Sequence, residues 1–199
     1  MSRQQRAHNT VRTFVAIDIS AELRKACQQL LAQVSQLPGQ VKWVRPESLH
    51  ITLKFLGNIP ENQVTAIQET LTPVVQSVPS FTLESTSLGG FPSVEHPRVI
   101  WLGINGRGIS SLQTLQQRID EALTALGFPA ENRPFRPHLT LGRVKAPFNL
   151  PTIVKTLLAH QFPPIAFPVT EVILMRSQLQ RDGARYTPLV HMPLKNNGE

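Results

Sequence analysis

The sequence predicts an α+β fold of mostly antiparallel strands with outer helices and a weak internal duplication. Three observations carry that prediction. Short β-rich runs alternate with amphipathic runs at helical spacing. Turn residues separate them closely, among 17 prolines and 11 glycines. The pattern His-apolar-Thr-Leu occurs twice, at 50–53 and at 138–141, each time in a strand-like run.

In chain order, "RTFVAIDI" from Arg12 reads as a strand. Ser20 then caps a helix whose apolar face is Leu23, Cys27, Leu30, Leu31 and Val34, ended by Pro38-Gly39. "VKWV" and "LHITLKFL" are the next strands, and Pro60 opens a second helix with Val64, Ile67, Leu71 and Val74 on its apolar face. "FTLEST" and "RVIWLGI" are strands, with Gly89-Gly90 and Pro92 in the loop between them. Leu112, Leu115, Ile119, Leu123 and Leu126 predict a third helix closed by Gly127. "PHLTLGRV" is a strand and "LPTIVKTLLAHQ" a short helix. "VTEVILMRSQL" and "RYTPLVHMPL" form a last hairpin turning at Asp182-Gly183. The order strand-helix-strand-strand-helix-strand nearly repeats, which predicts one domain of two similar lobes over 12–194, a loose arm over 1–11 and a loose tail over 195–199.

Apolar residues make up 41% of the 199, enough for a sizeable core. No apolar run approaches the ~18 residues that span a bilayer, and the basic start lacks the apolar region of a secretory signal. The lone Cys27 excludes an internal disulfide and reads as a small core residue. A cytoplasmic monomer is expected. Twenty Lys and Arg against 13 Asp and Glu give a net charge of +7 and favour an anionic partner, nucleic acid first; the scatter of these charges argues against a membrane-surface helix.

The two histidine runs carry the chemistry. Residues i and i+2 of a strand share a face, so His50 projects with Thr52, and His138 with Thr140, while Ile51, Leu53, Leu139 and Leu141 face a core. If the lobes face one another, two imidazoles and two hydroxyls surround one small cavity. A phosphodiester suits such a cavity. Its cleavage needs a base for the attacking oxygen and an acid for the leaving oxygen, and histidine serves as either near neutral pH. Threonine hydroxyls donate to non-bridging oxygens, and a cation such as Arg143 offsets their developing charge. Strict alternation places Arg143 opposite His138, and Phe55 opposite His50. Gly142 permits a bulge that re-aims Arg143; nothing similar accounts for Phe55, which reads equally as a core residue. With six histidines and 15 threonines, His-x-Thr arises by chance roughly 0.45 times in such a chain, so the shared flanking pattern is what makes the pair informative.

Together "RTFVAIDI", "SLHITLKFLG", "HPRVIWLGI", "PFRPHLTLGR" and "RSQLQRDGARYTPL" resemble the 2H phosphoesterase superfamily. Within it they are most similar to the RNA 2′,3′-cyclic phosphodiesterases, also called 2′-5′ RNA ligases. The resemblance covers Arg12 to about Pro193. It implies a bilobal fold with a cleft between two antiparallel sheets, and hydrolysis of an RNA 2′,3′-cyclic phosphate to a 2′-phosphate without metal or nucleotide cofactor. It implies His138 as general base, His50 as general acid, Thr52, Thr140 and Arg143 as phosphate ligands, and Phe55 as a stacking surface for the terminal base. RNA with a cyclic phosphate end, tRNA fragments among them, is the implied partner, and the reverse reaction would be 2′-5′ ligation. Sibling substrates, 2′-5′ oligoadenylates or cyclic phosphates of ADP-ribose, remain open.

Other readings fit less well. No HExxH or acidic cluster accompanies the histidines as a metal site would require. Gly103-Ile104-Asn105-Gly106 matches the GxxG of an RNA-binding KH module, but that loop should join two helices and here follows a strand. His96, before Pro97, reads as a loop residue near the cleft mouth.

Overall fold

The computed structural model describes residues 10–180 and 183–196. Nine strands and four α-helices occur among them, in the order β1 (Thr10–Ile17), α1 (Ala21–Val34), β2 (Gln40–Trp43), β3 (Ile51–Pro60), α2 (Gln63–Gln76), β4 (Phe81–Phe91), β5 (Val99–Asn105), α3 (Ile109–Ala125), β6 (His138–Ala146), α4 (Leu150–Ala159), β7 (Ala166–Val169), β8 (Glu171–Gln180) and β9 (Gly183–Pro193). A 3-10 turn over Pro46–Ser48 leads into β3. No helix among the described residues is long and apolar enough to cross a membrane.

Local sequence accounts for most of these elements. The Ser20 side chain accepts a hydrogen bond from the Leu23 amide at 3.2 Å, and the five apolar residues expected on α1 are all buried. Helix α3 buries Leu112, Leu115, Ile119 and Leu123, while Gly127, at φ +96°, takes the left-handed turn that ends it. Some boundaries move. Pro60 ends β3 rather than opening α2, which starts at Gln63 and buries Ile67, Leu71 and Val75 instead of Val74. These three lie on one i, i+4 row, the seam that meets the sheet. Gly89 and Gly90 belong to β4, because the ring of Trp101 on β5 lies over Gly89: a Cβ there would come within 2.3 Å of it. Thr10 and Val11 belong to β1 rather than the expected arm, Val11 being buried opposite Ile59. Lys195 bridges Pro79 instead of joining the loose tail. The expected arm from 1 to 9, the turn residue Asp182 and the tail from 197 onward lie outside the described residues.

The expected two sheets are joined into one, in the order β7-β4-β5-β6-β3-β1-β8-β9, with β2 also on β6. All pairings of these strands are antiparallel. The join is slight: β3 and β6 share the single pair Ile51–Leu139, both fully buried. Beyond it β3 pairs with β1, and β6 with β5 and β2, so the sheet divides into two lobes at this seam. The lobes are not the two halves of the chain, as the duplication suggested. Strand β2 joins the lobe of β6, and the C-terminal hairpin β8–β9 joins that of β3. Helices α2 and α3 pack together, α3 against β3 and α2 against β3, β8 and β9, whereas α1 meets α4, which covers β4. The apolar side chains between sheet and helices form one continuous core.

Candidate active site

The seam sets the site. Ile51 and Leu139 point into the core, so their sequence neighbours project from the opposite face of the sheet. Antiparallel register about this pair sets His50 beside Thr140 and Thr52 beside His138, with ~5 Å between strands and ~6–7 Å along each strand. All four side chains are half-buried. Histidine and threonine thus alternate around a small quadrilateral where the lobes part.

The same irregularity follows each motif. Along β3, Ala16 pairs with Thr52 and Val15 with Lys54, leaving Leu53 as an extra residue. Along β6, Trp101 pairs with Thr140 and Ile100 with Gly142, leaving Leu141 as the extra residue. Each bulge lies three residues after its histidine and inverts the alternation beyond it. Arg143 is thereby brought to the face of His138, as Gly142 suggested. Phe55 is brought to the face of His50 by the bulge at Leu53, against strict alternation along the strand. The reading of Phe55 as core is corrected: it is 65% exposed, with its ring 6.0 Å from Phe14. Because the strands are antiparallel, Phe55 and Arg143 stand at opposite ends of the cleft.

The residues after the bulges differ. Lys54 is buried, paired with Asp120 of α3, and donates to the Pro129 carbonyl at 2.7 Å. Gly142 lies against the Trp43 ring, where a Cβ would come within 2.7 Å.

The histidines are held alike. Nδ1 of His50 donates to the Ser48 carbonyl at 2.8 Å, and Nδ1 of His138 to the Arg136 carbonyl at 2.6 Å. Both bonds run to the residue two positions earlier, and both favour the neutral tautomer that carries its proton on Nδ1. Nε2 of His50 lies 3.0 Å from the Thr52 hydroxyl. Burial holds both imidazoles below the usual histidine pKa. The backbone hydrogen bonds offset part of this at both rings, and the nearby charges differ. The Asp18 carboxylate favours the charged form of His50, although Arg24 and His138 oppose it. The Arg143 guanidinium further disfavours a charge on His138. Arg24 ties this corner together, binding Asp18 at 2.5 Å and the Pro46 carbonyl ahead of His50.

Aromatic rings wall both histidines. Phe14 and Tyr186 flank His50 at 4.7 and 5.0 Å, and Phe91 and Trp101 flank His138 at 5.1 and 6.4 Å. Burial raises the phenol pKa of Tyr186, which Arg143 and Arg12 partly offset, so its hydroxyl keeps its proton at neutral pH. Sequence reasoning gave Tyr186 no role; it comes from β9, within the run from Arg176 that carried part of the resemblance. His96 is exposed in the loop before β5. Among the described residues, no three His, Cys, Asp or Glu are grouped to hold a metal ion.

Paired His-x-Thr motifs across the seam of a two-lobed antiparallel sheet are the arrangement of a 2H phosphoesterase. The chain belongs to the 2′-5′ RNA ligase superfamily, whose profile matches residues 39–181. It is 33% identical over 180 residues to the RNA 2′,3′-cyclic phosphodiesterase of Methanothermobacter thermautotrophicus, covering 90% of this chain and 96% of that one. Against the protein of the same name from Thermotoga maritima the identity is 32%, over 90% of this chain and 93% of that one. Among solved structures, E. coli LigT complexed with 3′-AMP superposes with a TM-score of 0.72 at 30% identity, covering 94% of this chain and 99% of LigT.

Proposed function

We propose that this protein hydrolyses the 2′,3′-cyclic phosphate at the 3′ end of RNA to a 2′-phosphate, using its two histidines as base and acid. The observation that carries the reading is the matched pair itself: two imidazoles on opposite sides of one seam, each with Nδ1–H tied to a backbone carbonyl, and Nε2 of His50 within 3.0 Å of the Thr52 hydroxyl. Nε2 of His138, kept neutral by burial and Arg143, takes a proton from water as the water oxygen attacks phosphorus. The P–O3′ bond breaks, and O3′ takes its proton from Nε2 of His50, whose charged form Asp18 favours. The P–O2′ bond survives, so the product is a 2′-phosphate. Thr52 and Thr140 donate to the non-bridging oxygens, and Arg143 balances the charge that grows on them.

Phe55 offers its exposed ring to the terminal base. With a 5′-hydroxyl attacking in place of water, the same proton transfers in the same direction would break P–O3′ and form a 2′-5′ bond. The relatives named RNA 2′,3′-cyclic phosphodiesterase support the substrate class.

The test is incubation of the purified protein with an oligoribonucleotide ending in a 2′,3′-cyclic phosphate. A 2′-phosphate product is expected; a 3′-phosphate, or no turnover, would contradict the reading.

A further inference from the structure

Strand β2 pairs with β6 so that Lys42 lies directly across from Arg143, on the same face of the sheet. The two Cα atoms of such a pair are ~5 Å apart. Like charges set side by side on adjacent strands repel, and among the described residues neither side chain has a carboxylate partner. Lys42 is exposed. Its stem is nonetheless guided: Cε lies 3.8 Å from where a side chain at Gly183 would begin, and Arg45 ties the same hairpin tip through the Ala184 carbonyl at 3.4 Å. The pair therefore presents two cations in a row, one inside the reaction site and one just outside it.

Ribose stereochemistry says what the outer cation meets. The cyclic phosphate spans O2′ and O3′. From the C2′–C3′ bond, C1′ with the base leaves on one side, and C4′ with the 5′-phosphate leaves on the other. Phe55 and Arg143 stand at opposite ends of the cleft, as the antiparallel register requires. A nucleotide whose base stacks on Phe55 thus directs its 5′-phosphate toward the end where Lys42 lies.

We propose that Lys42 forms a subsite for the phosphodiester on the 5′ side of the terminal nucleotide, so that the protein selects a polynucleotide end over a nucleoside cyclic phosphate. This subsite rests on the hydrolase reading above. It adds binding energy remote from the reacting phosphorus and leaves the chemical step untouched.

The experiment compares an adenosine 2′,3′-cyclic phosphate, the same nucleoside carrying a 5′-phosphate, and a short oligoribonucleotide with a cyclic end. Wild-type protein, Lys42→Ala and Lys42→Arg would each be assayed with all three. In the wild type the 5′-phosphate should lower KM about 5- to 10-fold with little change in kcat. Lys42→Ala should abolish that preference and Lys42→Arg should retain it, while both variants turn over the unphosphorylated nucleoside as the wild type does. For the oligonucleotide, the slope of log kcat/KM against log salt should become shallower by about 0.7, one single-strand phosphate contact. Equal slowing of all three substrates by Lys42→Ala would overturn the subsite, and so would no change with any of them. Wild-type turnover of the plain nucleoside or of the oligonucleotide upholds the hydrolase reading whichever way Lys42→Ala behaves. No wild-type turnover of any substrate would sink that reading and the subsite with it.

Discussion

The two histidine strands are near copies up to the bulge and diverge immediately after it. In β3 the bulge at Leu53 is followed by Lys54, anchored on Asp120, and by Phe55, an exposed ring. In β6 the bulge at Leu141 is followed by Gly142, pressed on Trp43, and by Arg143, a cation beside His138. One backbone device therefore serves two chemistries. It turns the fifth residue after each histidine into the cleft, an exposed ring at one end and a cation at the other. The asymmetry reaches the histidines as well, since Asp18 stands near one and Arg143 near the other.

The largest break in this comparison is removal of either imidazole. His50→Ala and His138→Ala should each lower kcat by about 10²–10⁴-fold, the usual contribution of a positioned acid or base. Unchanged circular dichroism would show that the fold survives, and near-normal turnover in both variants would refute the pairing.

Next come the two residues that the bulges re-aim, and here the effects should separate. Arg143→Ala should fall mainly in kcat, by about 10²-fold, because its charge matters most as negative charge develops on phosphate. Phe55→Ala should fall mainly in KM, by about 1–2 kcal/mol of lost stacking, with kcat nearly intact. Steady-state kinetics on a cyclic oligonucleotide would resolve the two. A loss of kcat from Phe55→Ala equal to that from Arg143→Ala would mean that the ends of the cleft are not specialised.

The smallest effects concern the anchors behind the bulges. Gly142→Ala would drive a methyl group into Trp43 and Val41, 2.7 and 2.8 Å away, and should destabilise the protein by about 1–3 kcal/mol in a urea titration. An unchanged urea midpoint would show that β2 yields freely at this point.

Much of this could be read from the chain. Amphipathic spacing located all four helices, since each buries one stripe, and Ser20 and Gly127 marked helix ends through local hydrogen bonding and backbone handedness. His50, Thr52, His138 and Thr140 share the cleft face, as strand periodicity requires. The bulge before Arg143 was legible because glycine tolerates the close approach of Trp43. Its twin at Leu53 was not, because leucine carries no such sign and the irregularity arises from pairing with β1. The interleaving of the lobes was equally hidden. It depends on pairings between distant segments, β2 with β6 and β1 with β8, that no local pattern encodes. Tyr186 comes to the cleft, and Lys42 to the strand beside Arg143, through such long-range pairings, which is why neither was singled out from the sequence.

The most direct test of two rings acting on one phosphorus is the pH dependence of kcat/KM. Burial favours the neutral form of both histidines, so each folded-state pKa lies below the ordinary 6.5. The proposed mechanism needs His138 deprotonated and His50 protonated, giving a rising acid limb and a falling alkaline limb. In the free enzyme both limbs should therefore lie below pH 6.5. The residual activity of His50→Ala should lose only the alkaline limb, and that of His138→Ala only the acid limb. A single sigmoid in the wild type, or the same limb lost from both variants, would contradict the account.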